Sequence, residues 1–212
     1  MKFVISSSLL SQRLQTLGRV IPSKNSMPIL DNFLFQVADG KLTITASDNE
    51  VTLRTTVDLV ESDGNLSFAI NAKMLQEAMK EIPEQPLEFT INPEGLEIKL
   101  DFQNGHYSLV GQNADEYPVT KELEGEISTL VMDAQRMHSS VSRALFAAAE
   151  DPLRPVMNGV FFDYQSNGLA VVASDGRKLA CSRLTDLKND TPTSFILHKK
   201  PANIMKGILQ KE

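Results

Sequence analysis

The sequence predicts an α+β chain built from two duplicated domains, each with helices on one side of antiparallel sheets. Three observations carry this. Residues 28–48, PILDNFLFQVADGKLTITASD, are echoed by residues 155–175, PVMNGVFFDYQSNGLAVVASD, at an offset of 127 with a one-residue slip at the glycine. A repeat of that length marks two copies of one domain. Four segments have helical apolar spacing, and the stretches between them alternate with period two and are joined by hairpin signals.

The elements follow in order. Phe3-Val4-Ile5 reads as a strand running into a helix over 6–20, where Leu10, Leu14 and Leu17 share a face behind capping serines. Residues 33–37 and 41–45 are strands joined by Ala38-Asp39-Gly40, and Asp-Gly is a strong hairpin signal. Strands are also read at 51–59 and 66–70. A second helix spans 72–81, with Asn71 as cap and Pro83 as stop. Residues 87–91 and 96–100 flank Asn92-Pro93-Glu94-Gly95 as a further hairpin, and 106–110 closes the first domain. Phe68 to Leu75 weakly echoes Phe3 to Leu10, so one domain reads as two strand–helix–strands units.

Turn formers and acidic residues place the inter-domain linker in 114–127. The domains are therefore read as 1–120 and 128–212. The second begins with a strand at Leu130-Val131-Met132 and a helix over 133–149, then restarts at Phe195-Ile196-Leu197 with a helix over 199–211. Its final hairpins are missing, so the chain is expected to stop part-way through that domain.

Composition narrows the classes. With 42% hydrophobic and 23% charged residues the chain can bury an ordinary core. Its one cysteine excludes an internal disulfide, and Cys181 is expected to be a small buried apolar residue. No run of about 18 apolar residues exists for a membrane span, and the serines at 6–8 break any signal-peptide pattern. A cytoplasmic protein with no membrane partner is expected. The net charge of −6 argues against nucleic acid at first sight, but its placement matters more. The four helical segments sum to +7, which leaves −13 on strands and loops. A basic helix face on an acidic body can hold a phosphate backbone.

Catalytic signals are sparse. His106, His138 and His198 lie in separate segments without metal-ligand spacing, and no Gly-rich phosphate loop occurs. Asp48 and Asp175 occupy equivalent copies of one turn and read as caps for backbone amides. No catalytic residue, metal or cofactor is expected. The alternative is an enzyme with its site between two duplicated α+β domains.

The opening Met1-Lys2-Phe3, the stretch from Pro28 through Gly40, the stretch from Arg154 through Phe162, and Ala173 through Ala180 together resemble the bacterial sliding clamp family, the beta subunits of DNA polymerase III. The match runs through almost the whole chain. The resemblance implies a DNA clamp fold and a replication processivity factor. In it, three domains per subunit close a head-to-tail homodimeric ring around double-stranded DNA, without sequence preference. This chain would supply the first domain and most of the second, with the third absent.

The resemblance also implies sites. Lys24, Lys73, Lys80, Arg136, Arg143, Lys199 and Lys200 would face DNA. Phosphate attraction by such residues carries no sequence information. Met157, Ser174, Gly176, Arg177, Lys178 and Leu179 would form half of a cleft for short peptide motifs of DNA polymerase and clamp-loader subunits. Arg177 stands where the best-known members have histidine, and Lys178 where they have arginine. Ala78, Ile82, Tyr107 and Leu109 would meet a neighbouring subunit.

Overall fold

The computed structural model describes residues 1–25, 27–118, 127 and 129–210. Two compact units are present, Met1–Glu122 and Leu123–Glu212. In the first, strands β1 (Lys2–Ser6), β2 (Asn32–Ala38), β3 (Lys41–Ser47), β4 (Thr52–Asp58), β5 (Glu61–Ser62), β6 (Leu66–Asn71), β7 (Pro86–Ile91), β8 (Glu97–Phe102), β9 (Gly105–Val110) and β10 (Gln112–Asn113) accompany helices α1 (Ser7–Leu17) and α2 (Ala72–Glu81). They form two five-stranded sheets, ordered β5-β1-β7-β8-β9 and β10-β6-β2-β3-β4, and every pairing is antiparallel.

Alternation fixes the inner faces. Phe33, Phe35 and Val37 of β2, Leu42 and Ile44 of β3, and Phe68 and Ile70 of β6 are buried. Phe35 lies 5.4 Å from Phe68 and 6.4 Å from Phe89 of β7, which in turn stacks on Phe3 at 4.7 Å. One aromatic column thus runs through both sheets. The two helices close the core with Leu10, Leu14 and Leu17 from α1 and Leu75, Ala78 and Met79 from α2. Gln76 Nε2 donates to the Leu14 carbonyl at 2.9 Å and ties the helices together.

The second unit repeats this plan. Its described elements are α3 (Ala134–Leu145), β11 (Gly159–Gln165), β12 (Gly168–Ser174), β13 (Leu179–Leu184), β14 (Thr193–His198) and α4 (Lys199–Leu209). The sheet order β13-β12-β11-β14 matches β4-β3-β2-β6, strand start for strand start, at the 127-residue offset. Val141, Ala144 and Leu145 of α3 and Ala202 of α4 pack on Val160, Phe162, Leu169 and Val171.

The structure corrects several boundaries. The first helix ends at Leu17, with the Gly18 amide donating to the Leu14 carbonyl, and the third ends at Leu145. Residues 114–118 do not belong to a linker. Ala114–Glu116 form a 3₁₀ turn that seats Tyr117, 4% exposed, against Ile29, Leu30 and Ala69. Residues 119–126 lie outside the described set. Leu130-Val131-Met132 is not a strand. Its counterpart β1 is held on both sides, by β5 and β7. A strand needs a partner for its amides and carbonyls, and no described strand pairs with residues 130–132.

Candidate nucleic-acid interface and peptide-binding turn

The four α-helices among the described residues all start from one device. Ser6, Asn71, Asp133 and His198 each sit at the end of a strand or extended segment. Each accepts a hydrogen bond from an amide in the first turn, at 3.4, 3.0, 3.0 and 3.4 Å. Such caps satisfy donors the helix itself leaves open. Over their observed lengths α1 and α2 together carry a net +1, while α3 and α4 carry +5. The helices are basic on an acidic chain, and the charge is concentrated in the second unit.

The predicted DNA-facing residues divide into three groups. Lys73 and Lys80 on α2, Arg143 on α3 and Lys24 in the loop after α1 are exposed and make no ion pair with a described residue. Arg136 and Lys199 are already engaged. Arg136 Nη2 lies 2.6 Å from Asp186 Oδ1, and Lys199 Nζ lies 2.6 Å from Glu150 Oε1. The hydrogen bond to Arg136 holds the Asp186 carboxyl below its usual range, and that to Lys199 does the same for Glu150. Lys200 is half-buried in the first turn of α4.

Two basic grooves accompany these helices. Arg19 and Lys80 line one of about 320 Å³ between α1 and α2. Arg136, Arg143 and Arg183 line another of about 430 Å³ between α3 and edge strand β13. Arg19 was counted in the charge of the first helix but not named as a DNA contact, and Arg183 was missed because it lies on a strand. The outward alternation of β13, with Ser182 buried between exposed Cys181 and Arg183, is the signal that could have found the second.

The turn after β12 is strongly specified. The Asp175 carboxylate accepts from the amides of Arg177 and Lys178, both at 2.9 Å, and Ser174 Oγ accepts from the Gly176 amide at 3.1 Å. The Lys178 and Arg177 amides pull the Asp175 pKa down to about 2. Gly176 has φ +87°, and a Cβ there would sit 3.3 Å from Arg154 Nη1 and 3.7 Å from Met157 Cε. The first unit builds the same turn at Asp48, whose Oδ1 accepts from the Glu50 and Val51 amides, with Asn49 at φ 77°. Both acids are therefore structural caps.

The surroundings of the two turns differ. Leu179 is 70% exposed and Met157 half-buried, whereas Leu30, the counterpart of Met157, is fully buried. Phe146, Leu153 and Val156, which the sequence did not single out, are exposed on neighbouring segments. Lys178 Nζ lies 5.9 Å from the Phe146 ring centre. The geometry brings Met157, Ser174, Gly176, Arg177, Lys178 and Leu179 together.

Among the subunit-contact candidates, Tyr107 and Leu109 are half-buried on edge strand β9. Ala78 and Ile82 are 7% and 8% exposed and mainly serve their own core. Cys181 corrects an expectation. It is exposed, because β13 turns Ala180 and Ser182 inward and Cys181 outward. Among the described residues, no three His, Cys, Asp or Glu side chains gather to hold a metal ion, and no helix is long and apolar enough to cross a membrane.

Residues 1–121 match the family described as DNA polymerase III beta subunit, N-terminal domain. Relatives named beta sliding clamp include those of Haemophilus influenzae, 28% identical over 94% of this chain, and Halalkalibacterium halodurans, 25% identical over all of it. The chain spans about half the length of these relatives, 54% and 58%. Its structure covers 56% of the DNA polymerase III beta subunit from Thermotoga maritima, with 27% identity and a TM-score of 0.87. It covers 57% of that from Pseudomonas aeruginosa, with 22% identity and a TM-score of 0.91, a likeness of fold. The chain belongs to the DNA polymerase III beta subunit family.

Proposed function

We propose that this chain is part of a beta sliding clamp, a replication processivity factor that encircles double-stranded DNA as a homodimeric ring and tethers DNA polymerase. Residues 1–120 act as the first clamp domain and 128–212 as part of the second. The observation that carries this reading is the charge segregation. The helices hold +6 on a chain of net −6. Exposed lysines and arginines attract phosphates without reading bases, and contacts of that kind permit sliding.

Met157, Ser174, Gly176, Arg177, Lys178 and Leu179 serve as half of a docking cleft for short peptide motifs of polymerase and clamp-loader subunits. Support comes from the 70% exposure of Leu179 beside a rigidly capped turn. Tyr107 and Leu109 serve the subunit interface, with smaller shares from Ala78 and Ile82. The role is non-catalytic and uses no cofactor, and the site of action is the cytoplasm.

Two measurements test this. The chain should bind duplexes of unrelated sequence equally, with affinity falling steeply as salt rises. The whole gene product, loaded on circular DNA, should stay linked through a high-salt wash and be released when the circle is cut. Retention after linearisation, or sequence preference, would sink the reading.

A further inference from the structure

The outer face of the sheet β10-β6-β2-β3-β4 carries a cavity of about 350 Å³ that neither the helix face nor the peptide turn uses. Its size is at the small end of ligand pockets. Thr45 lines it and is 2% exposed, and Thr45 Oγ1 is buried without a hydrogen-bond partner among the described residues. An unpartnered buried hydroxyl is destabilising and calls for a reason. Buried Tyr117 and half-buried Leu34 form an apolar wall. The exposed rim holds Arg54 and Asp115, and neither side chain makes an ion pair or hydrogen bond with a described residue.

The internal repeat shows that folding does not require this polarity. Leu34, Thr45 and Arg54 form one cross-strand row, with Leu34 opposite Thr45 and Thr45 opposite Arg54. The same row in the second unit is Phe161, Val172 and Cys181, in the same register. Valine has the shape of threonine without the hydroxyl. The backbone therefore accepts an apolar residue at this position, yet the first unit buries a hydroxyl that has no partner among the described residues, opposite a guanidinium that has none either.

We propose that this cavity binds a small zwitterion, with its carboxylate on Arg54 and the Thr45 hydroxyl and its amine toward Asp115. Guanidinium–carboxylate pairing supplies direction. A purely anionic ligand would meet Asp115 and a purely cationic one Arg54, so a molecule carrying both charges is favoured over either. Leu34 and Tyr117 flank the short spacer between its two charges.

The test is titration of the isotope-labelled chain with glycylglycine, followed by proton–nitrogen correlation NMR, with N-acetylglycine and glycinamide as single-charge controls. A ligand this small should saturate in the millimolar range. Saturable shifts are expected at Thr45, Arg54 and Asp115, with both controls binding several-fold more weakly. Thr45→Val should fold normally, since Val172 holds the matching position, and should weaken binding about tenfold, as should Arg54→Met. Should Thr45→Val not fold, the exposed Arg54→Met carries the test alone. Either control binding as tightly as glycylglycine, shifts that survive Arg54→Met, or no saturable shift at all (a site holding only water) overturns the proposal.

Discussion

Replacing Asp186 by asparagine should strengthen duplex binding, although Asp186 is not itself a candidate DNA contact. Asp186 Oδ1 sits 2.6 Å from Arg136 Nη2 and cancels its charge. Asparagine removes the negative charge and keeps an acceptor at that place. The magnitude follows from counterion release, in which each phosphate contact adds about 0.9 to the slope of log affinity against log salt. Lys24, Lys73, Lys80 and Arg143 carry no ion pair among the described residues, so they supply at most four contacts. Four contacts give a slope of about −3.6, a loss of about 150-fold between roughly 50 and 200 mM salt. Freeing Arg136 makes the slope about −4.5 and the loss about 500-fold, with affinity at low salt raised several-fold. Glu150→Gln should do the same through Lys199, whose Nζ lies 2.6 Å from Glu150 Oε1. Arg143→Ala should flatten the slope by about 0.9. Fluorescence anisotropy of a labelled duplex across salt concentrations reads all three. Unchanged slopes in both charge-freeing variants would place Arg136 and Lys199 off the DNA face.

Other consequences can be measured by unfolding. Phe68→Ala empties a fully buried site and should cost about 3–5 kcal/mol, whereas Phe195→Ala, at the matching position but 46% exposed, should cost about half that in urea titrations. Tyr117→Ala should cost about 3 kcal/mol if residues 114–118 belong to the first unit, and almost nothing if they are a tether. Leu179→Ser should shift stability by less than about 0.5 kcal/mol while abolishing capture of a polymerase peptide by the assembled ring. The folded-state pKa of Asp175 is depressed to about 2, so its contribution is complete above the ordinary aspartate range near 4 and is lost as pH falls toward 2. Acid unfolding followed by circular dichroism should therefore be shallower over that window in Asp175→Ala.

Much of the fold was legible because local chemistry and global fold agree. Asn71 and Asp133 cap the helices that follow them, and the Asp39-Gly40 pair takes the positive φ values, 52° and 71°, that a tight hairpin needs. What was not legible depends on partners distant in sequence. Leu130-Val131-Met132 has strand composition, but strand pairing is a property of two segments, and no described strand pairs with it. Tyr117 lies in a run of turn formers, and only the fold reveals the slot between Ile29, Leu30 and Ala69 that it fills. Arg136 and Lys199 read as free charges because Asp186 and Glu150 are about fifty positions away in sequence. The gathering of the turn residues was legible through the repeat. Their exposure was not, since exposure depends on what does not cover them.

The duplicated turn separates what the fold demands from what it merely permits. Both copies keep an aspartate that caps two amides and a positive-φ residue behind it, since without these the chain cannot reverse between the paired strands. In the first copy the adjoining apolar residue, Leu30, is sealed under Tyr117 and serves stability alone. In the second copy Met157 is only half covered, and Leu179 replaces Thr52 and projects 70% into solvent. The Leu179 side chain thus gains little for folding by standing there. A capped turn presenting Leu179, with Gly176 close to Met157, is pre-organised, so on the proposed function a docking peptide would lose little to ordering the receptor. If that preorganisation is what matters, Gly176→Val, which strains the φ +87° position, should weaken peptide capture by the assembled ring more than Arg177→Ala does, although it leaves every charge in place. Equal losses would mean that charge, not the held shape of the turn, selects the partner.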